Sequence, residues 1–241
     1  MRCYTVEEAV HRVGYDQIYE LVAAAVASQV LVRPLEVYGI EADQLWLSSV
    51  AGALAAECLS EHLGIDQDIA YTIGLLHRIG MVAINEWASR TMPDVRLTQK
   101  DLPWETCEAE RQIFGFHNAE AGAALLRLWE FPSVMTEPVR WQYSPSATAA
   151  HGRIATLLAV SKWIRNSATE SHHQNFPEEA LLRRLSISSA QIGKFSEKVK
   201  CRLREVASLL ESDDERAIQV RFPNGDRVIE TLNSTAGNYG I

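Results

Sequence analysis

The 241-residue chain has only four cysteines. Cys3, Cys58, Cys107 and Cys201 are far apart and form no CxxC pair. Neither a disulfide framework nor a thiolate zinc site is indicated, and such isolated thiols are expected as small buried apolar residues. Glycine (13) and proline (8) are sparse, and hydrophobic residues make up 47% of the chain, which excludes collagen-like and wholly disordered classes. No apolar run approaches the roughly 20 residues of a membrane helix. The longest, 21–32, is interrupted by Ser28 and Gln29 and ended by Arg33. The start, MRCYTVEEAV, carries acids where a signal peptide has its apolar segment, so a cytoplasmic location is expected. Basic residues are in deficit, 23 against 31 acidic, for a net charge of −8. No overall positive field draws a phosphate backbone or an anionic bilayer, so neither nucleic acid nor membrane is expected as a partner.

What is present is helical periodicity. Thr5 and Glu8 make a capping box that starts a short helix, and 15–32 carries a broad apolar face. Further helices are expected at 42–63, 69–77, 81–87, 104–113, 118–129, 133–143, 148–166, 177–185 and 189–210. Pro138 is placed to kink one of them, and Asp66 or Asp68 to cap another. Segments 89–103 and 167–176 read as loops. The Ala, Gly and Ser residues of 42–63 allow close packing, and the tryptophans at 46, 87, 129, 141 and 163 read as core anchors. Arg183, Arg184, Lys198, Lys200, Arg202 and Arg204, alternating with Glu197 and Glu205, form a solvated, salt-bridged face. The tail differs: 217–232 flanks Asn224-Gly225 with alternating residues and suggests a β-hairpin. The expectation is an all-α bundle of about 8–10 helices over 1–211, with an extension over 212–241.

The segment most able to carry chemistry is AYTIGLLHRIGMVAIN, 70–85, where an apolar helix ends on His77-Arg78 beside Gly80. Alone, such a histidine more often caps or packs than binds metal. The segment resembles the GLLHDIG signature of the HD superfamily of metal-dependent phosphohydrolases. LWLSS at 45–49 resembles the LWxHS element of its HDOD branch, the HD-related output domains of bacterial signalling proteins. FGFHNAEAGAALLRLW at 114–129 resembles FGxDHAEVGAxLLxxW. LWEFP at 128–132 and VRWQYSP at 139–145 resemble WxLP and IxxHHxP.

The resemblance implies metal positions that this chain does not keep. Ser48 stands for the upstream histidine, Arg78 for the aspartate of the pair, Gln142-Tyr143 for the late histidine pair and Ser161 for the late aspartate. His77 and His117 remain as nitrogen donors. An arginine beside the ion would repel it, and without metal this hydrolysis has no nucleophile. No catalytic residue, metal or cofactor is therefore expected. Two alternatives stay open: a regrouped site of His77, His117 and Glu120 or Glu108 with residual phosphohydrolase activity, and a phosphate- or nucleotide-binding role for Arg78. A salt bridge from Arg78 to Glu108 or Glu120 is the favoured structural outcome. The family also implies partners that are signalling proteins in cyclic-dinucleotide or two-component pathways. Such domains usually open with further helices. If those are missing, an exposed apolar face and self-association are expected.

Overall fold

The computed structural model describes residue 31 and residues 33–97, 103–148, 150–169 and 177–213, with side chains left out at 103–105 and 206–213. These residues are all helical or irregular, as the periodicity requires. Nine α-helices and one short 3-10 turn are present among them. The helix expected from Thr5, most of 15–32, most of the 167–176 loop and the 217–232 hairpin lie outside the described residues.

Helix α1, Ala42–Leu63, has the expected bounds. It starts at a capping box in which Glu41 and Gln44 exchange bonds, and Gly64 ends it at φ 63°. Helix α2, Gln67–Leu76, is capped by Asp66, whose carboxylate accepts from the Asp68 and Ile69 N–H groups. His77 and Arg78 occupy the break before α3, Ile79–Thr91. Helix α4 is Pro103–Phe114, α5 is Asn118–Leu128 and α6 is Ser133–Arg140. The 133–143 expectation is thus shortened: the chain turns at Trp141, which frees Gln142 and Tyr143 to leave the helical path. A 3-10 turn at Pro145–Ala147 precedes α7, Gly152–Ala168, which starts later and ends later than 148–166. The Thr169 hydroxyl caps its end by donating to the Arg165 carbonyl. Helices α8, Glu179–Leu185, and α9, Ser189–Asp213, follow.

Two crossings permit close backbone approach because a glycine stands at each. A Cβ on Gly74 of α2 would lie 2.6 Å from the Gly52 carbonyl oxygen of α1. A Cβ on Gly80 of α3 would lie 1.8 Å from the Asn118 carbonyl oxygen at the start of α5. The first crossing brings α1 against His77; the second seats α5 beside the His77-Arg78 break. The core holds Leu45, Ala53, Ile73, Leu76, Ile79, Ile84, Leu126, Val139 and Leu158, whose burial from water is the main favourable contribution to the fold.

Several surface expectations are corrected. Trp87 is 40% exposed rather than a core anchor, stacked edge-on with Phe114. Cys58 and Cys107 are buried, but Cys201 is exposed. The basic face is ion-paired as expected, with Arg183 to Glu179 and Lys200 to Glu197, and it also ties α9 to α1 through Lys198–Glu61 and Arg202–Glu57. The chain divides into two compact units, Met1–Leu203 and Arg204–Ile241, and of the second only the helical residues to Asp213 are described. Among the described residues no helix is long and apolar enough to cross a membrane.

Candidate functional site

His77 is 2% exposed, at the C-terminal end of α2. Its Nδ1 lies 2.6 Å from the Gly74 carbonyl oxygen, which can only accept, so Nδ1 carries the proton. Nε2 is then left as an acceptor, and Arg165 Nη1 of α7 donates to it at 2.5 Å. Burial, then Arg165, Arg78 and Lys162, hold the ring well below the usual histidine range. His77 is a neutral imidazole whose one lone pair is occupied by a guanidinium.

The turn after α6 completes the surround. Gln142 Nε2 donates to the His77 and Val139 carbonyls at 3.0 Å each, which pins the side chain. Its Oε1 accepts from Lys162 Nζ at 3.1 Å, and the same ammonium sits 3.6 Å from the centre of the Tyr143 ring. Tyr143 donates its hydroxyl to Asn118 Oδ1 at 3.0 Å. Asn118 in turn gives its backbone N–H and its amide to Glu110, which also accepts from Tyr38 at 2.7 Å. Burial raises Glu110 against these donors, and it pushes the Cys107 thiol up to about 12, with Glu110 adding to it.

Of the residues singled out in the sequence, His77, Gln142 and Tyr143 are brought together here. Arg78 starts α3 beside them, and Tyr143 is within electrostatic reach of its guanidinium. The favoured salt bridge does not form, because Glu108 accepts from Gln112, while Glu120 accepts from Arg111 and from the His117 backbone. Nor does the regrouped site: His117 Nδ1 accepts from the Glu120 N–H and caps α5. That role fits the FGxDHAE pattern, in which an aspartate, a good N-cap, stands at this position. Its histidine is then matched by Asn118, which faces Glu110. Ser161 is buried and donates to the Leu158 carbonyl within its own helix. Ser48 Oγ is buried with no partner among the described residues, as is that of Ser49.

Lys162 and Arg165 were missed. Their signal was available: two cations three residues apart in the otherwise apolar stretch LLAVSKWIRN put both on one face of a helix expected to be buried. Both are indeed buried, at 7% and 5% exposure. Burial lowers each; repulsion from Arg78 adds to it at Arg165, taking it to about 9, and repulsion from Arg165 and Arg78 adds to it at Lys162, which lies well below its usual range.

The divalent metal that an HD fold implies does not fit these residues. The imidazole nitrogen that would ligate it is bonded to Arg165, and three cations rather than carboxylates surround the ring. Among the described residues no three His, Cys, Asp or Glu side chains converge as a metal site.

Comparisons with known proteins agree with the fold. An uncharacterized protein of Treponema pallidum is 27% identical over 188 residues, covering 75% of this chain and 35% of that protein. The chain thus spans about a third of the length of that relative. A crystal structure of a candidate signal transduction protein from Marinobacter aquaeolei superposes with a TM-score of 0.60 at 18% identity, covering 86% of this chain and 47% of that one. A candidate phosphohydrolase from Shewanella amazonensis superposes with a TM-score of 0.53 at 23% identity, covering 82% and 72%. At these identities the likeness is one of fold. The model of the HDOD domain matches residues 1–145, more than half the chain, and its pattern elements run in order through α1, the His77-Arg78 break, α5 and the turn after α6. The chain belongs to the HDOD domain family, a degenerate branch of the HD superfamily.

Proposed function

We infer that this protein is a bacterial signal-transduction output module that works through contacts with other signalling proteins and does not hydrolyse phosphoesters. The observation that carries this is the Arg165 guanidinium on His77 Nε2. It spends the lone pair a metal would need and adds a positive charge at the same point, so the hydroxide that HD phosphohydrolases generate on metal has no source here. Family membership supports the signalling role, as does the fold likeness to a protein described as a candidate in signal transduction. A cytoplasmic location and partners in cyclic-dinucleotide or two-component pathways belong to the same proposal.

Metal analysis of the purified chain, after incubation with Fe(II), Mn(II) or Mg(II), is expected to find no stoichiometric ion. Turnover of a generic phosphodiester and of cyclic dinucleotides is expected to stay at background. Stoichiometric metal that disappears in His77→Ala overturns the proposal. If the site is silent, affinity capture from the native cell extract identifies the partner.

A further inference from the structure

We propose that Arg78, Lys162 and Arg165 form a binding site for a small phosphate-bearing anion, in the place a metal would otherwise take. This deepens the reading of the site as metal-free and rests on it.

The geometry is one of uncompensated charge. Lys162 and Arg165 are buried on one face of α7, and among the described residues each donates only to neutral acceptors. Lys162 holds the Gln142 amide oxygen, and Arg165 holds the His77 ring and the Asn166 side chain. Arg78 has neither hydrogen bond nor ion pair among the described residues, and it repels both others. The neighbouring carboxylates are committed elsewhere: Glu110 to Tyr38 and Asn118, Glu108 to Gln112, Glu120 to Arg111 and His117. Buried charges are normally paired, because leaving one unpaired costs several kcal/mol. Three like charges together with no counter-ion among the described residues are the inverse of that rule.

A second observation concerns α1. Ser48 and Ser49 bury hydroxyls that have no partner among the described residues, where a helical serine ordinarily returns its hydroxyl to a carbonyl one turn back. Ser48 lies one turn before Gly52, the residue that packs on the His77 ring. These unused donors belong to the helix that packs on the His77 ring.

A phosphoryl group suits this set best. It carries close to two negative charges near neutral pH, offers three terminal oxygens and takes a guanidinium fork bidentately. A carboxylate would neutralise one of the three cations and leave two. In a chain of net charge −8, a local positive pocket also concentrates anions that the rest of the surface repels.

The test uses the full chain, freed of phosphate, in thermal-shift and calorimetric titrations at constant ionic strength. The probes are inorganic phosphate and a nucleoside monophosphate, with chloride and a cyclic dinucleotide, whose phosphodiesters carry one charge and two terminal oxygens each, as controls. Saturable one-site binding of at least one phosphate probe is expected, weakened about tenfold or more in Arg78→Gln. Free phosphate alone would mark a simple anion site, while tighter binding of a nucleotide would mark a larger ligand whose phosphate is held here. Arg78→Lys, which keeps charge but loses the fork, is expected between the two. If every isotherm is flat with EDTA present and no metal is found, the anion site fails while the metal-free reading stands. If phosphate binds only with added Mn(II) or Fe(II), both fail. Binding unchanged in Arg78→Gln also overturns the proposal.

Discussion

Arg165 Nη1 donates to His77 Nε2 across 88 positions of sequence, and His77 Nδ1 donates to Gly74 one turn back in its own helix. Both ring nitrogens are thereby spent on the protein. The histidine that most resembles a metal ligand in the sequence is in the folded chain a neutral joint between α2 and α7.

That joint predicts an acid sensitivity. An unfolded histidine takes its proton near pH 6.5, while folded His77 is held well below that by burial and by the neighbouring cations. Below about pH 6.5 the unfolded chain therefore binds more protons, so stability is present above that value and falls as pH falls, by up to about 1.4 kcal/mol per pH unit for one group. His117, lowered chiefly by burial, adds in the same direction. Urea midpoints measured between pH 7.5 and 5 should fall with pH, and the slope should be shallower in His77→Gln. An equal slope in that variant would remove His77 as the cause.

The glycine crossings give a contrast within one residue type. Gly80→Ala places a Cβ 1.8 Å from the Asn118 carbonyl oxygen, so α3 and α5 must separate. A loss of about 3 kcal/mol or more is expected in chemical denaturation. Gly193→Ala in α9 meets nothing within 4 Å and should raise stability by roughly 0.5–1 kcal/mol. Similar effects at the two sites would contradict the packing.

Tyr38→Phe removes one donor from the buried Glu110 carboxyl and leaves the two from Asn118. The expected cost is about 1–3 kcal/mol, with the circular dichroism of the folded protein unchanged. Loss of Tyr143 or Lys162 is not needed for this effect, since Asn118 stands between them and Glu110.

Arg78→Asp restores the acid of the family's His-Asp pair without vacating His77 Nε2. Metal titration of this single variant should remain flat, and EDTA should leave the melting temperature of both wild type and variant unchanged. Stoichiometric Mn(II) binding by Arg78→Asp would show that Arg165 yields its position to an ion.

Much of the fold was legible because helix formation is local. The α1 bounds followed from Ala42 to the Gly64 stop, and the α2 cap was narrowed to Asp66 or Asp68, of which the structure uses Asp66, since capping bonds span only two or three residues. The same locality misled at 133–143, where apolar spacing continues past Arg140 but the chain turns to carry Gln142 and Tyr143 inward. It also misled at Trp87, since periodicity assigns a face to a residue without saying whether another element covers that face.

The sequence by itself determined the all-helical class, because helix spacing and caps are near-neighbour patterns, and its motifs carried the resemblance to the HDOD family, which in turn implies that Ser48, Arg78 and Gln142-Tyr143 stand at metal positions. Only the tertiary structure decided what surrounds His77. Whether Arg78 meets Glu108 or Glu120, and whether Lys162 and Arg165 face water or His77, depends on the rotation and crossing of whole helices. Those are set by contacts such as Gly52 on Gly74 and Gly80 on Asn118, between residues far apart in the chain.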